Sequence, residues 1–250
     1  MTSFVAPLVP LRQALLAVKV HANPKDDVLF AVRLLPGGDD RVHVSASDRY
    51  TAAVATAPII PEDGEGDPID LAVSDVDKFL AVFRSSSDKD APEPEVRIRL
   101  EDDEVTFSDV GGLFEGQSLT LPAHSRDSVP DIRRVVGTVL AAPSWTGPDH
   151  GLSQRALAKL VTGTKTYGEA AFIDHRGEPG SRPSLLAVVG EHLIVVLAMT
   201  KPTTDFVDED TPAKPNPDEV RTAWRQAFRE AIENFQADGV DVDVRLMEDL

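Results

Sequence analysis

The chain contains no cysteine, so a disulfide, a thiolate metal site and a cysteine nucleophile are all excluded. It also has no apolar run approaching the roughly 18 residues that a membrane-spanning helix needs. Basic residues are the minority charge, with 25 Lys and Arg against 42 Asp and Glu and a formal net charge of −17. A surface that is basic all round is therefore ruled out, but a local cationic stripe is not. What remains, 42% hydrophobic and 27% charged residues over 250 positions, describes a globular chain. It is too balanced to be collagen-like or disordered, and long enough for one large domain or two modules of roughly 100–150 residues. The opening MTSFVAPLVPLRQALLAVKV has no basic leader ahead of an unbroken apolar stretch, and its two prolines interrupt it, so a cytoplasmic protein with no membrane partner is expected.

Catalytic patterns are missing as well. The histidines at 21, 43, 124, 150, 175 and 192 have no HExxH or other paired-ligand spacing. Gly163-Thr164-Lys165-Thr166 lacks the upstream glycine of a phosphate loop, and no G-x-S-x-G elbow occurs. The acidic groups at 101–104 and 208–210 read as charged turns. No enzyme activity, metal or cofactor is expected.

Composition marks linkers at 62–67, 85–95 and 203–217, which are rich in Pro, Gly, Ser and acidic residues. Between them, period-two alternation predicts strands over 28–32, 42–46, 96–100 and 105–107, the last two joined by a turn at 101–104. Helical spacing of apolar residues predicts helices over 7–20, 74–85, 153–161 and 217–236. Ser74 with Asp77 resembles a capping pair, and Asn216-Pro217-Asp218-Glu219 suits a helix start. Helices interspersed with runs of strands joined by short turns indicate an α+β fold with antiparallel sheets.

Cations recur on these helices at face-sharing intervals. Arg221, Arg225 and Arg229 fall at i, i+4 and i+8, Arg155 and Lys159 at i and i+4, and Arg12 and Lys19 are nearly two turns apart. Lys78 and Arg84 are six apart and diverge by about 120°, so the second helix contributes less. Lys165 lies one turn and a half beyond Lys159. Long basic side chains often just cover apolar surface and pair with nearby carboxylates. Their recurrence in so acidic a chain points instead to a shared cationic surface that contacts phosphates without reading sequence.

Three collinear strings resemble bacterial sliding clamps, the processivity β subunits of replicative DNA polymerase. Val44-Ser45-Ala46-Ser47-Asp48-Arg49-Tyr50-Thr51-Ala52-Ala53-Val54 is similar to V-x-A-T-D-x-x-R-L-A-V. Val129-Pro130-Asp131-Ile132-Arg133-Arg134-Val135-Val136 is similar to the F-P-D-Y-R-R-V-L connector, and Val195-Val196-Leu197-Ala198-Met199-Thr200-Lys201 to V-V-M-P-M-R-L. The resemblance implies a DNA-clamp fold of two-helix plus antiparallel-sheet domains. Residues 1–125 would form one domain and 126–151 a connector. Residues 152–250 would form a second, rearranged or truncated domain interrupted by the acidic linker 203–217.

The resemblance further implies duplex DNA as a sequence-independent partner of Arg12, Lys19, Lys78, Arg84, Arg155, Lys159, Lys165, Arg221, Arg225 and Arg229. It implies a groove for short client peptides of DNA polymerase and other clamp-binding proteins, walled by Leu29, Ser47, Arg49, Ala52, Pro130, Arg134, Val135, Val195, Leu197 and Met199. Arg49, Ala52 and Leu197 depart from the family's usual glycine, leucine and methionine, and Leu29, Val195 and Leu197 also suit ordinary strand packing. The expectation is a processivity factor closed as a homo-oligomeric ring, preferably a trimer, with a clamp loader as a further partner. The alternative is a non-encircling, clamp-derived module that binds clamp clients.

Overall fold

The computed structural model describes residues 2–37, 40–62, 66–84, 93–110, 116–124, 129–146, 151–178 and 183–199. All belong to the unit Met1–Pro202; the unit Thr203–Leu250, with the helix expected over 217–236 and Arg221, Arg225 and Arg229, lies outside the described residues.

The chain opens with strand β1 (Thr2–Pro7), which runs into helix α1 (Leu8–Lys19). Pro10 sits in the first helical turn, where its missing N–H costs nothing. Leu8, Leu11, Leu15 and Val18 make the buried stripe of α1, each contributing about 1.5–3 kcal/mol by leaving water. Strands β2 (Ala31–Pro36), β3 (Arg41–Ser47), β4 (Thr51–Pro58), the two-residue β5 (Ile60–Pro61) and β6 (Ile69–Ala72) follow, then helix α2 (Val73–Val82). A meander of β7 (Glu95–Glu101), β8 (Glu104–Asp109) and β9 (Ser118–Pro122) comes next. Helix α3 (Ile132–Ala141), helix α4 (Gln154–Tyr167) and a second meander, β10 (Ala171–Arg176), β11 (Ser184–Val189) and β12 (Leu193–Ala198), complete the described chain.

These strands form two sheets in which all pairings are antiparallel, as the α+β reading requires. One has the order β5-β1-β7-β8-β9 and the other β10-β11-β12-β4-β3-β2-β6. The larger sheet is continuous across the seam where β12 pairs with β4, Val196 opposite Ala52 and Val195 opposite Ala53. Helices α1, α2 and α4 share the main core. Ala53, Ala55 and Ala57 of β4 and Ala14 and Ala17 of α1 are completely buried there, and such small side chains allow the helix backbone to lie close to the sheet. Helix α3 lies on the opposite face of the larger sheet. There Ile132 and Val136 pack with Ala52, Val54, Leu186 and Val196 in a separate, smaller cluster.

Four local expectations need correction. The strand expected over 28–32 begins at Ala31, because the Asp26 carboxylate accepts the Val28 and Leu29 N–H groups and folds 26–29 into a turn. Ser74 lies inside α2 rather than capping it, since Ala72 takes the cap position without a side-chain bond. The third expected helix runs on to Tyr167 and stops at Gly168, whose φ of 69° is the left-handed conformation that glycine adopts without strain. The connector holds a ten-residue helix, α3, started by the Asp131 carboxylate accepting the Arg133 N–H.

Candidate functional site

Two surfaces compete for the functional role: the helix layer made by α1, α2 and α4, and the opposite sheet face beside α3. In a chain with 42 acidic residues, neither α1 nor α4 contains a single Asp or Glu. Helix α2 of the same layer carries Asp75 and Asp77, and α3 on the other face also has no acidic residue, so the positive character of the layer rests on the cations of α1 and α4.

The cations of this layer differ in availability. Arg155 is largely exposed, 3.7 Å from Asp48. Lys165 is exposed, and so is Arg84, whose Nε donates to Ala81 O at 3.1 Å. Lys19 is paired with Asp77 at 2.6 Å, and Lys78 with Asp75 at 2.7 Å. Arg12 is half-buried and donates to Leu80 O at 2.8 Å and to Phe83 O, covering the carbonyl end of α2. Burial, and then the neighbouring Arg84, lower its pKa. Lys159 is a correction to the expected phosphate contacts. Its side chain is buried, with Nζ donating to Asp48 Oδ2 at 2.6 Å and to Thr51 Oγ1 at 3.1 Å, because its position on α4 points into the sheet instead of outward.

Beside α3, the β3–β4 turn holds Asp48, Arg49 and Tyr50. Asp48 Oδ1 accepts the N–H groups of Tyr50 at 3.1 Å and Thr51 at 2.8 Å and the Thr51 hydroxyl at 2.9 Å. These bonds hold Arg49 in the left-handed region, φ 75°, and turn its guanidinium outward to Asp26 at 2.5 Å. Ser47 is half-buried, its Oγ accepting the Arg49 N–H at 3.3 Å. Leu29 is half-buried in the turn organised by Asp26. Pro130, Arg134 and Val135 are exposed at the start of α3, and Ala52 lies beneath that helix.

The approach of the connector to the sheet is fixed by Arg33. Its guanidinium forks onto the wholly buried Asp70 through two bonds of 2.7 Å and donates a third to Val129 O at 3.1 Å.

Val195, Leu197 and Met199 do not line this face. All three are buried in the main core on the helix side of the sheet, while Ile194 and Val196 of the same strand face α3. Side chains alternate along a strand, so a displacement of one residue sends the whole set to the other face.

The comparisons with known proteins bear on the fold. No protein-family model and no curated protein sequence matches the chain. Solved structures do. The DNA polymerase III beta subunit from Thermotoga maritima matches with a TM-score of 0.58 at 13% identity, over 86% of this chain and 68% of that one. A putative DNA polymerase III beta subunit from Eubacterium rectale gives 0.59 at 9% identity, over 86% and 69%. The beta subunit from Pseudomonas aeruginosa gives 0.54 at 10% identity, again over 86% and 69%. The chain has the sliding-clamp fold.

On this clamp fold, the sequence reading brings together Ser47, Arg49, Ala52 and the start of α3, but it misses Val54, Ile132, Val136, Leu186 and Val196. The i, i+4 pair Ile132 and Val136 behind the capping Asp131 carried the signal for α3. It also misses the buried polar group at the end of α1. His21 is fully buried with neither ring nitrogen hydrogen-bonded. Burial, reinforced by Lys159 and opposed by Asp48, lowers its pKa to about 3, so the ring is neutral. Among the described residues, no group of His, Asp and Glu is placed to hold a metal ion, and no helix is long and apolar enough to cross a membrane.

Proposed function

We propose that this clamp-fold chain is a processivity factor that encircles duplex DNA and tethers client proteins, making and breaking no bond itself. The observation that supports the reading is the run of cations on α1 and α4, Arg12, Lys19, Arg155 and Lys165, on helices that hold no carboxylate in a chain of net charge −17; α3 on the other face is equally free of acid. In a ring with that layer inward, Arg84, Arg155 and Lys165 would meet phosphates, joined by Arg221, Arg225 and Arg229. The outer carboxylates would keep DNA off the rest of the surface.

The domain division belongs to the same reading. Residues 1–125 make one clamp domain, 126–151 the connector, and 152–250 a second, divergent one, with the β12–β4 seam as their junction. Two domains per chain and head-to-tail contacts that close give a trimeric homo-oligomer. The groove between the β3–β4 turn and the start of α3 takes short peptides with apolar anchors from DNA polymerase or other clients, and a loader opens the ring in the cytoplasm.

Retention on circular duplex DNA is the test. Native protein is expected to stay on nicked circles and to slide off after linearisation, and replacing Arg221, Arg225 and Arg229 together by alanine lowers retention without lowering the melting temperature. Equal release from circular and linear DNA refutes encirclement.

A second reading, a non-encircling module that presents the groove to clamp clients, is favoured by the neutralisation of Lys19, Lys78 and Lys159 by carboxylates of this chain. Light scattering separates the two: a trimer for the ring, a monomer for the module.

A further inference from the structure

Asp48 is the point at which both candidate surfaces meet. One carboxylate oxygen organises the β3–β4 turn through Tyr50, Thr51 N–H and the Thr51 hydroxyl, and the other accepts Lys159 Nζ from α4 at 2.6 Å. Both partners are buried, with side chains only 4% and 8% exposed. Arg155, one turn earlier on α4, approaches the same oxygen at 3.7 Å. His21, at the end of α1, is buried close enough for both charges to act on its ring. Three segments distant in sequence therefore converge on one desolvated ion pair. Its neighbours Arg49 and Tyr50 stand out at the groove side, and Tyr50 is 68% exposed.

A buried ion pair of this kind adds little net stability over well-packed neutral residues, because two charges must leave water, but it fixes geometry and is costly to break on one side only. We propose that the Asp48–Lys159 pair is a positioning latch: it registers the client-side turn against helix α4, so that engagement of one surface is felt at the other. The latch rests on the observed geometry alone, whereas its role in coupling DNA to clients rests on the clamp reading above.

Site-resolved amide exchange on the full chain, first without any ligand, tests the latch. Asp48→Asn keeps an acceptor for the Tyr50 and Thr51 N–H groups but removes the charge that holds Lys159, and Lys159→Met removes the other partner. Each single change is expected to speed exchange at Tyr50 and Thr51 about ten-fold and to lower the melting temperature, leaving relative protection in α2 unchanged. The double variant, with no charge stranded, recovers most of the melting temperature but keeps the fast exchange at the turn. Native exchange in the double variant, or unchanged exchange in the single ones, overturns the latch. Should Lys159→Met fail to fold, Lys159→Gln retains a neutral donor and is judged by the same comparison.

Nicked circular duplex DNA, which the encirclement reading expects to retain the protein, then serves as the probe for coupling. It is expected to slow exchange in α4 and at Tyr50 and Thr51 in native protein, and in α4 only in the double variant. Protection of α4 without the turn in native protein overturns the coupling. Absence of any protection in α4 refutes the DNA-facing reading instead, while the ligand-free comparison still decides the latch.

Discussion

The segments α2-β7-β8-β9 and α4-β10-β11-β12 have the same order, a helix followed by a three-stranded antiparallel meander, but different surroundings. In the first, β1 pairs along β7 from Thr2 opposite Leu100 to Pro7 opposite Glu95. Phe79 of α2 and Phe83 at its C-terminal cap close against Phe107 of β8 at ring distances of 4.8 and 6.4 Å. In the second, the outer flank of β10 is met among the described residues only at its end, where Ser144 bridges Arg176 and Trp145 N–H donates to His175 O at 2.7 Å. Phe172 and Ile173 are 78% and 54% exposed, and Leu157 and Val161 are exposed on α4. The difference teaches that a helix and its meander bury only part of their apolar surface. A preceding strand and helix supply the rest for the first segment; for the second, α1 beside α4, β4 along β12 and α3 over Leu186 and Val196 do so, and β10 is left with the open flank.

Breaking the complete segment should have the largest effect. Phe79→Ala, at a fully buried position, is expected to cost about 3–5 kcal/mol in denaturant unfolding. A loss below about 1 kcal/mol would mean that the aromatic cluster is not what completes the first segment.

Acid should act at the seam between the segments. The His21 imidazole takes up its proton only near 3, against 6.5 for the ordinary side chain. Between these values the unfolded chain binds more protons, and stability falls as pH drops, by about 1.4 kcal/mol per unit below the ordinary value. Burial raises the Asp48 pKa, but the Lys159 and Thr51 donors outweigh it and hold the carboxyl below its ordinary range. Its contribution is therefore present above the unfolded carboxyl value and is lost as pH falls through the lower folded one. Amide protection in α4 is expected to fail at a higher pH than in β7 and β8, and His21→Leu should flatten the decline above pH ~4.5. Equal loss in both segments would erase the distinction.

The smallest effect belongs to the open flank. Phe172→Ala is expected to change stability by no more than about 0.5 kcal/mol. A loss comparable to that at Phe79 would reveal that Phe172 is covered in solution, which light scattering at two protein concentrations would trace to assembly or to the chain itself.

Much of the first segment and of the helix before it is legible because the periodicities are strong: Leu8, Leu11, Leu15 and Val18 mark α1, and the alternation through Val96, Ile98 and Leu100 marks β7. The stretch 126–151 is expected as a connector only through the resemblance of 129–136, and Val135, Val136, Gly137, Thr138 and Val139 are weak helix formers whose propensities give no signal for α3. The Asp131 cap and the contact of Ile132, Val136 and Val139 with the sheet compensate for them. Of the candidate site, the turn at 47–52 was placed by its motif, but the wall from β12 was assigned to the wrong face. A sequence string carries no information about which parity of a buried strand meets which layer when both faces are apolar.

The sequence by itself determined the period of each strong element, the lack of cysteine chemistry and of an apolar run long enough for a membrane-spanning helix, and the absence of acidic residues from the stretches that become α1 and α4. These are local or compositional properties. Tertiary structure alone decided that Lys159 turns inward to Asp48, that Arg33 and Asp70 anchor the connector, and that β12 joins β4 to make one sheet. Those outcomes depend on partners 111, 37 and more than 100 residues apart along the chain. Which charges are buried together and which faces touch are set by packing, not by spacing in the sequence.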